Sequence, residues 1–150
     1  MNFIEVYEDN IDLYKDSIDI FFNKNKSAYA SFKPHELNWG SLKNIVLCKS
    51  QDVYIFMCNE KEIIGYGMLR GWDEGYDVPS LGILISEPER GKGLSIVLMD
   101  KLHEIAKNKK SQKVRLTVFK NNINAIKLYE KMEYQFEELN SDSLLGIKTL

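Results

Sequence analysis

The apolar positions of this chain change period several times, and each change marks an element. Phe3 to Tyr7 reads as a short strand. After a cap at Asp9 or Asn10, Ile11, Tyr14, Ile18, Phe21 and Phe22 recur at helical spacing and predict a helix over residues 10–23. Lys24 to Lys33 is polar and aperiodic, a loop. Pro34 stands where proline can open a second helix, running toward Leu47 and weakened in its middle by Gly40. From Val53 the pattern turns to β-branched and aromatic runs, VYIFMC and then IIGYGML, on either side of the charged turn Asn59 to Glu62. That is a hairpin signature.

After a loop over residues 71–79, SLGILIS is apolar almost without interruption, as expected of a central strand buried on both faces. A glycine-rich turn follows at Arg90 to Ser95. Leu94, Val97, Leu98, Leu102 and Ile105 then keep helical spacing up to the basic end Lys107 to Lys110. Val114 to Phe119 is the next strand, parallel to SLGILIS by the right-handed crossover rule, and Ala125, Leu128, Tyr129 and Met132 mark a short helix. Strands over residues 134–139 and 144–150 flank a turn at Asn140 to Ser143. The order β, α, α, β, β, β, α, β, α, β, β predicts an α/β domain with a mixed sheet. No repeat or linker divides it, so residues 1–150 are expected to form one domain.

Composition narrows the function classes. Of the 150 residues, 44% are apolar and 28% charged, which suits an ordered core rather than a disordered chain. Twenty basic against 22 acidic residues leave a formal net charge of −2, with no positive field to attract nucleic acid. Cys48 and Cys58 lack metal or redox spacing and are expected to be small buried hydrophobes, and no metal site is expected. No apolar stretch approaches the roughly 20 residues that span a bilayer, and the start MNFIEVYEDN lacks signal-peptide features. No membrane partner and a cytoplasmic location are therefore expected.

Two segments carry chemistry. ILISEPERGKGLS sets a strand before a turn with Gly91 and Gly93 that opens an amphipathic helix, so backbone N–H groups and the positive helix end converge on a point suited to a pyrophosphate. A Walker A loop is excluded, because Lys92 is followed by Gly93 and not by Ser or Thr. In the second, VFKNNINAIKLYEKMEY, Asn122 precedes a helix that bears Ala125, Leu128 and Tyr129.

Together these segments resemble the GNAT N-acetyltransferases, whose turn reads R/Q-x-x-G-x-G/A and whose later segment reads N-x-x-A-x-x-L-Y-x-x-x-G-F. Arg90, Gly93 and Ser95 answer to the first pattern, and Asn122, Ala125, Leu128, Tyr129, Glu133 and Tyr134 to the second. Ser95 and Glu133 stand where the patterns have Gly or Ala and Gly, and the proline usual near position 87 is Pro88. The stretch from Gly65 to Ile83, with a Phe-x-Pro-His element at Phe32, Pro34 and His35, resembles a bacterial subgroup of the family without an assigned function.

The resemblance implies the GNAT acyl-CoA N-acyltransferase fold, a mixed central β-sheet with splayed parallel strands flanked by helices. It also implies acetyl-CoA as donor. Its pantetheine arm would pair with the backbone of Ile83, Leu84 and Ile85, and its pyrophosphate would rest on Arg90, Gly91, Lys92, Gly93, Leu94, Ser95 and Ile96. Asn122 would hold the arm, and Tyr129 would be the acid that protonates the thiolate. Phe32, His35, Arg70, Trp72, Asp73, Tyr76 and Asp77 are candidates for the acceptor side. For a base, Thr117 stands where some relatives carry a glutamate and cannot serve. The candidates are then His35, Asp73, Glu74 and Asp77, with loop solvation as the alternative for the acidic three and helix-start capping for His35. The acceptor would be a small-molecule or protein amine, and a second copy of the chain is a candidate partner. A non-catalytic acyl-CoA sensor is the competing class, with a nucleotide binder as a third.

Overall fold

The computed structural model describes residues 1–30, 32 and 34–150. Seven strands, β1 (Asn2–Glu5), β2 (Val53–Cys58), β3 (Ile63–Arg70), β4 (Ser80–Ile85), β5 (Lys113–Phe119), β6 (Gln135–Glu138) and β7 (Ser143–Thr149), form one sheet in the order β1-β2-β3-β4-β5-β7-β6. Every neighbouring pair is antiparallel except β4 and β5. That exception follows from the helix lying between them in sequence, since parallel strands need a crossover. The strand that the apolar run marked as central is the fourth of seven.

Alternation along the strands sends side chains to two cores. On one face Val53, Ile55 and Met57 of β2 and Val114, Leu116 and Val118 of β5 pack under α3 (Leu94–Asn108), with Ala125, Leu128 and Tyr129 of α4 (Ile123–Lys131) against the same cluster. On the other face Tyr54 and Phe56 of β2 and Tyr66 and Met68 of β3 meet Ile18, Phe21 and Phe22 of α1 (Lys15–Lys24) and Leu42 and Val46 of α2 (Trp39–Cys48). The period-two pattern decides which residue serves which core.

Three sequence expectations change. The first helix is broken into a 3-10 turn at Ile11–Tyr14 and α1, because Asn10 spends its side chain on Tyr7 N and Glu5 O and leaves the helix N-terminus uncapped. The second helix opens at Trp39 rather than Pro34: Asn38 accepts from Ser41 N at 2.8 Å and is the effective cap, so Gly40 falls in the first turn, not the middle. Cys48 is exposed and Cys58 half-buried, so the thiols are not core hydrophobes. Among the described residues no helix is long and apolar enough to cross a membrane, and no group of three or more His, Cys, Asp or Glu is placed to hold a metal.

Candidate active site

The two parallel strands meet at one point. Ser80 pairs with Arg115, and Arg115 N donates to Pro79 O at 3.0 Å. The flanking ladders continue, β3 with β4 through Gly65 and Ile85, β5 with β7 through Phe119 and Ser143. Beyond this bridge, therefore, β4 and β5 part toward their carboxyl ends, and residues 82–85 pair with no residue of β5. An extended arm could supply a partner.

The glycine turn sits at the open end of this split. Gly91 and Gly93 have φ of 80° and 77°, a region that L side chains enter at a cost of about 1–2 kcal/mol, and a Cβ on either would meet nothing within 4 Å. Conformation, then, and not space within the protein, calls for glycine here. Gly93 is the N-cap of α3 and no side chain caps that helix, so its leading N–H groups keep no side-chain acceptor at the positive end of the dipole. Arg90 folds back, Nε donating to Ile85 O at 3.2 Å, and Lys92 pairs with Glu89 at 3.0 Å. Ile96 is exposed and Leu94 packs on the core below.

Asn25 was not singled out from the sequence, where it stands in a polar stretch. It is 2% exposed, donates to Phe21 O and Ser86 Oγ, and accepts from Glu87 N, so the end of α1 anchors the start of the turn. Nothing in local composition distinguishes it from its exposed neighbours.

On the far side of the split, Asn122 caps α4 by accepting from Ala125 N at 3.3 Å, which leaves its NH₂ group as a donor. Tyr129 is half-buried, and burial raises its hydroxyl pKa above 10. Its hydroxyl makes no hydrogen bond among the described residues. Behind its ring, at 5.9 Å between centroids, Tyr134 shares a 2.7 Å contact with His103 Nε2 in the core; burial lowers the His103 pKa to about 4. Glu133, where the family pattern has glycine, has φ of 72° and closes the helix end.

The face of the sheet carrying α1 and α2 gathers Phe32, His35 and Arg70. Phe32 lies edge-on to buried Tyr66 and covers β4 at Gly82, where a Cβ would come within 3.1 Å of the ring. His35 is held by Tyr66 Oη at 2.7 Å and by Glu36 O at 2.6 Å, and desolvation lowers its pKa, so it is neutral at pH 7 and caps no helix. Arg70 donates to Pro34 O. The other four candidates stand apart from these. Asp73 accepts from Ser50, Gln51 and Asp52 N at 2.6–3.2 Å, which hold its pKa below the usual carboxylate range. Trp72 stacks under Lys109 at the carboxyl end of α3, about 20 Å along the helix from the glycine turn. Tyr76, 64% exposed, and Asp77, also exposed, lie on the loop that enters β4 at its closed end.

A mixed sheet parted at its one parallel pair, with an uncapped helix over the parting, is the architecture of acyl-CoA N-acyltransferases. The model of the Acetyltransferase (GNAT) family matches residues 10–134, and the chain belongs to that family. Solved structures agree on the fold. A GNAT acetyltransferase from Streptococcus pneumoniae superposes with a TM-score of 0.73 at 17% identity over 99% of both chains. The PaiA N-acetyltransferase of Thermoplasma acidophilum, solved with coenzyme A, gives 0.74 at 15% over 100% of both. A ribosomal-protein-alanine N-acetyltransferase from Brucella melitensis gives 0.76 at 13% over 100% of both. The chain matches none of the curated proteins by sequence.

Proposed function

We propose that this chain, as a single domain, transfers the acetyl group of acetyl-CoA to a primary amine by direct attack. The observation that carries the reading is the parting of β4 from β5 beside an uncapped, glycine-opened α3. Backbone N–H groups of Gly91 to Ile96 would take the pyrophosphate, the free edge of Ile83 to Ile85 would extend as a ladder along the pantetheine arm, and the Asn122 NH₂ would donate to that arm. Bound acetyl-CoA supplies the acyl group as a thioester reactive toward amines.

The chain's own part is then proton control. A lysine-like amine of pKa about 10.4 needs roughly 4–5 kcal/mol to be neutral at pH 7. None of the four candidate bases offers a free lone pair in the split: His35 Nε2 faces Tyr66, Asp73 is taken by three N–H groups, and Glu74 and Asp77 are exposed on the loop at its closed end. Water in the open cleft receives the amine proton in this reading. As the C–N bond forms and the C–S bond breaks, Tyr129 gives its proton to the sulfur; its raised pKa keeps it protonated at neutral pH and its hydroxyl is free to turn. Acetyl as the acyl group and a cytoplasmic place of action belong to the same reading.

Calorimetry with CoA, followed by thiol release from acetyl-CoA across an amine panel, tests it. CoA binding with amine-dependent release is the expected result. Binding without release from any amine would favour a sensor, and stabilisation by ATP rather than CoA would favour a nucleotide binder.

A further inference from the structure

Sheet register sets two arginines on either side of a serine at the closed end of the split. Arg70 of β3 pairs with Ser80 of β4, and Ser80 pairs with Arg115 of β5. Paired residues share a face. Arg70 follows Tyr66 and Met68 on the face of α1 and α2, and Arg115 alternates with Val114 and Leu116, which point to the other core. All three side chains therefore stand on the face where Phe32 and His35 gather. Ser80 is exposed, and two strand spacings, about 10 Å, separate the arginine backbones.

Arg70 donates to Pro34 O, a neutral acceptor. Among the described residues neither guanidinium forms an ion pair, and Arg115 Nε is buried with no hydrogen-bond partner. The row continues from Arg115 into Ile147 and Gln135, which bring no negative charge. Asp52, just before β2, turns its carboxylate to Gly71 N and Asp73 N instead. A buried donor without a partner is costly, and the Arg115 fork, with the Ser80 hydroxyl and the Arg70 donors that Pro34 O leaves over on the same face, matches a planar carboxylate.

We infer that Arg70 and Arg115, with Ser80 between them, bind a carboxylate carried by the acceptor, so that the enzyme acetylates amino acids whose amine lies several methylenes from the acid. The inference rests on the acetyltransfer reading for its second half. The three residues from Ser80 to Ile83, where the donor arm would end, span about 10 Å along the strand. An α-amino acid, with both groups on one carbon, cannot bridge that distance. An extended ω-amino acid, or a lysine side chain next to a free chain terminus, can.

The matched pair ε-aminocaproate and ε-aminocaproamide differs in the anion alone. Steady-state kinetics should favour the acid by at least about 10-fold in kcat/KM, through KM, and Arg115→Met should abolish that preference while CoA affinity by calorimetry is kept. Arg115→Lys, the milder change should the Met variant fail to fold, should retain part of it. The product N-acetyl-ε-aminocaproate, titrated calorimetrically, gives a readout that needs no turnover: it should bind the wild type at least about 10-fold tighter than it binds Arg115→Met. Equal use of acid and amide, or equal product affinity in the two proteins, overturns the anion site even where CoA binds. Failure to bind CoA, with the product still discriminated, overturns the acetyltransfer reading and leaves the anion site standing.

Discussion

Gly93→Ala separates a structural glycine from a binding one. At φ of 77° the alanine would sit in the left-handed region, costing about 1–2 kcal/mol, while its Cβ would meet no atom within 4 Å. Alanine also restricts the unfolded chain, returning about 0.4–1 kcal/mol. A net loss of about 1 kcal/mol, or about 2–4 °C in Tm for a chain of this size, is therefore the whole expected effect on folding. Affinity for CoA should fall much further, because a methyl group over the helix N-terminus keeps a phosphate from its N–H donors. Losing one charge-assisted hydrogen bond worth about 1.5–3 kcal/mol weakens binding about 10- to 100-fold. Gly75 supplies the control: its φ is 93°, it too has nothing within 4 Å, and it lies on the loop at the closed end of the sheet. Gly75→Ala should match the thermal loss and leave CoA binding alone. Melting curves and calorimetry on both variants decide the matter, and equal CoA affinity in the two would refute the pyrophosphate site.

Tyr129→Phe keeps the ring and removes the proton; with an accepted amine, turnover should drop about 10²- to 10⁴-fold at nearly constant acetyl-CoA affinity, and intact turnover where chemistry limits the rate would make Tyr129 a packing residue. Glu133→Gly should stabilise the fold by about 0.5–1 kcal/mol, since φ of 72° strains glutamate and its exposed carboxylate reaches Lys148 only at 3.8 Å; a lower Tm would show that the side chain matters. His103 has its pKa lowered from 6.5 to about 4, so the unfolded state binds the extra proton between those values. Its contribution is complete above about pH 6.5 and is lost as pH falls toward 4, by at most about 3 kcal/mol, and His103→Gln should flatten the fall in Tm over that range. An unchanged slope would assign the acid sensitivity to other groups.

The pattern of apolar positions was enough to count the strands and helices, mark SLGILIS as central and put the glycine turn ahead of α3, because period and turn chemistry act within a few residues. The motif residues Gly91, Gly93, Asn122 and Tyr129 were legible for the same reason: each is read relative to its own helix end. What lay beyond the sequence were the meetings of distant segments. Asn25 reaches Glu87, His35 reaches Tyr66, and Asp73, a candidate base by its place in the chain, is spent on the amides of Ser50 to Asp52. Such partners are chosen by whichever buried polar group needs satisfying once the core has closed, and that need has no local signature. The row Arg70, Ser80 and Arg115 is the clearest case. Each residue is unremarkable in its own strand, and it is the pairing register of β3, β4 and β5, set by which faces must be buried, that brings the two arginines to one end of the split.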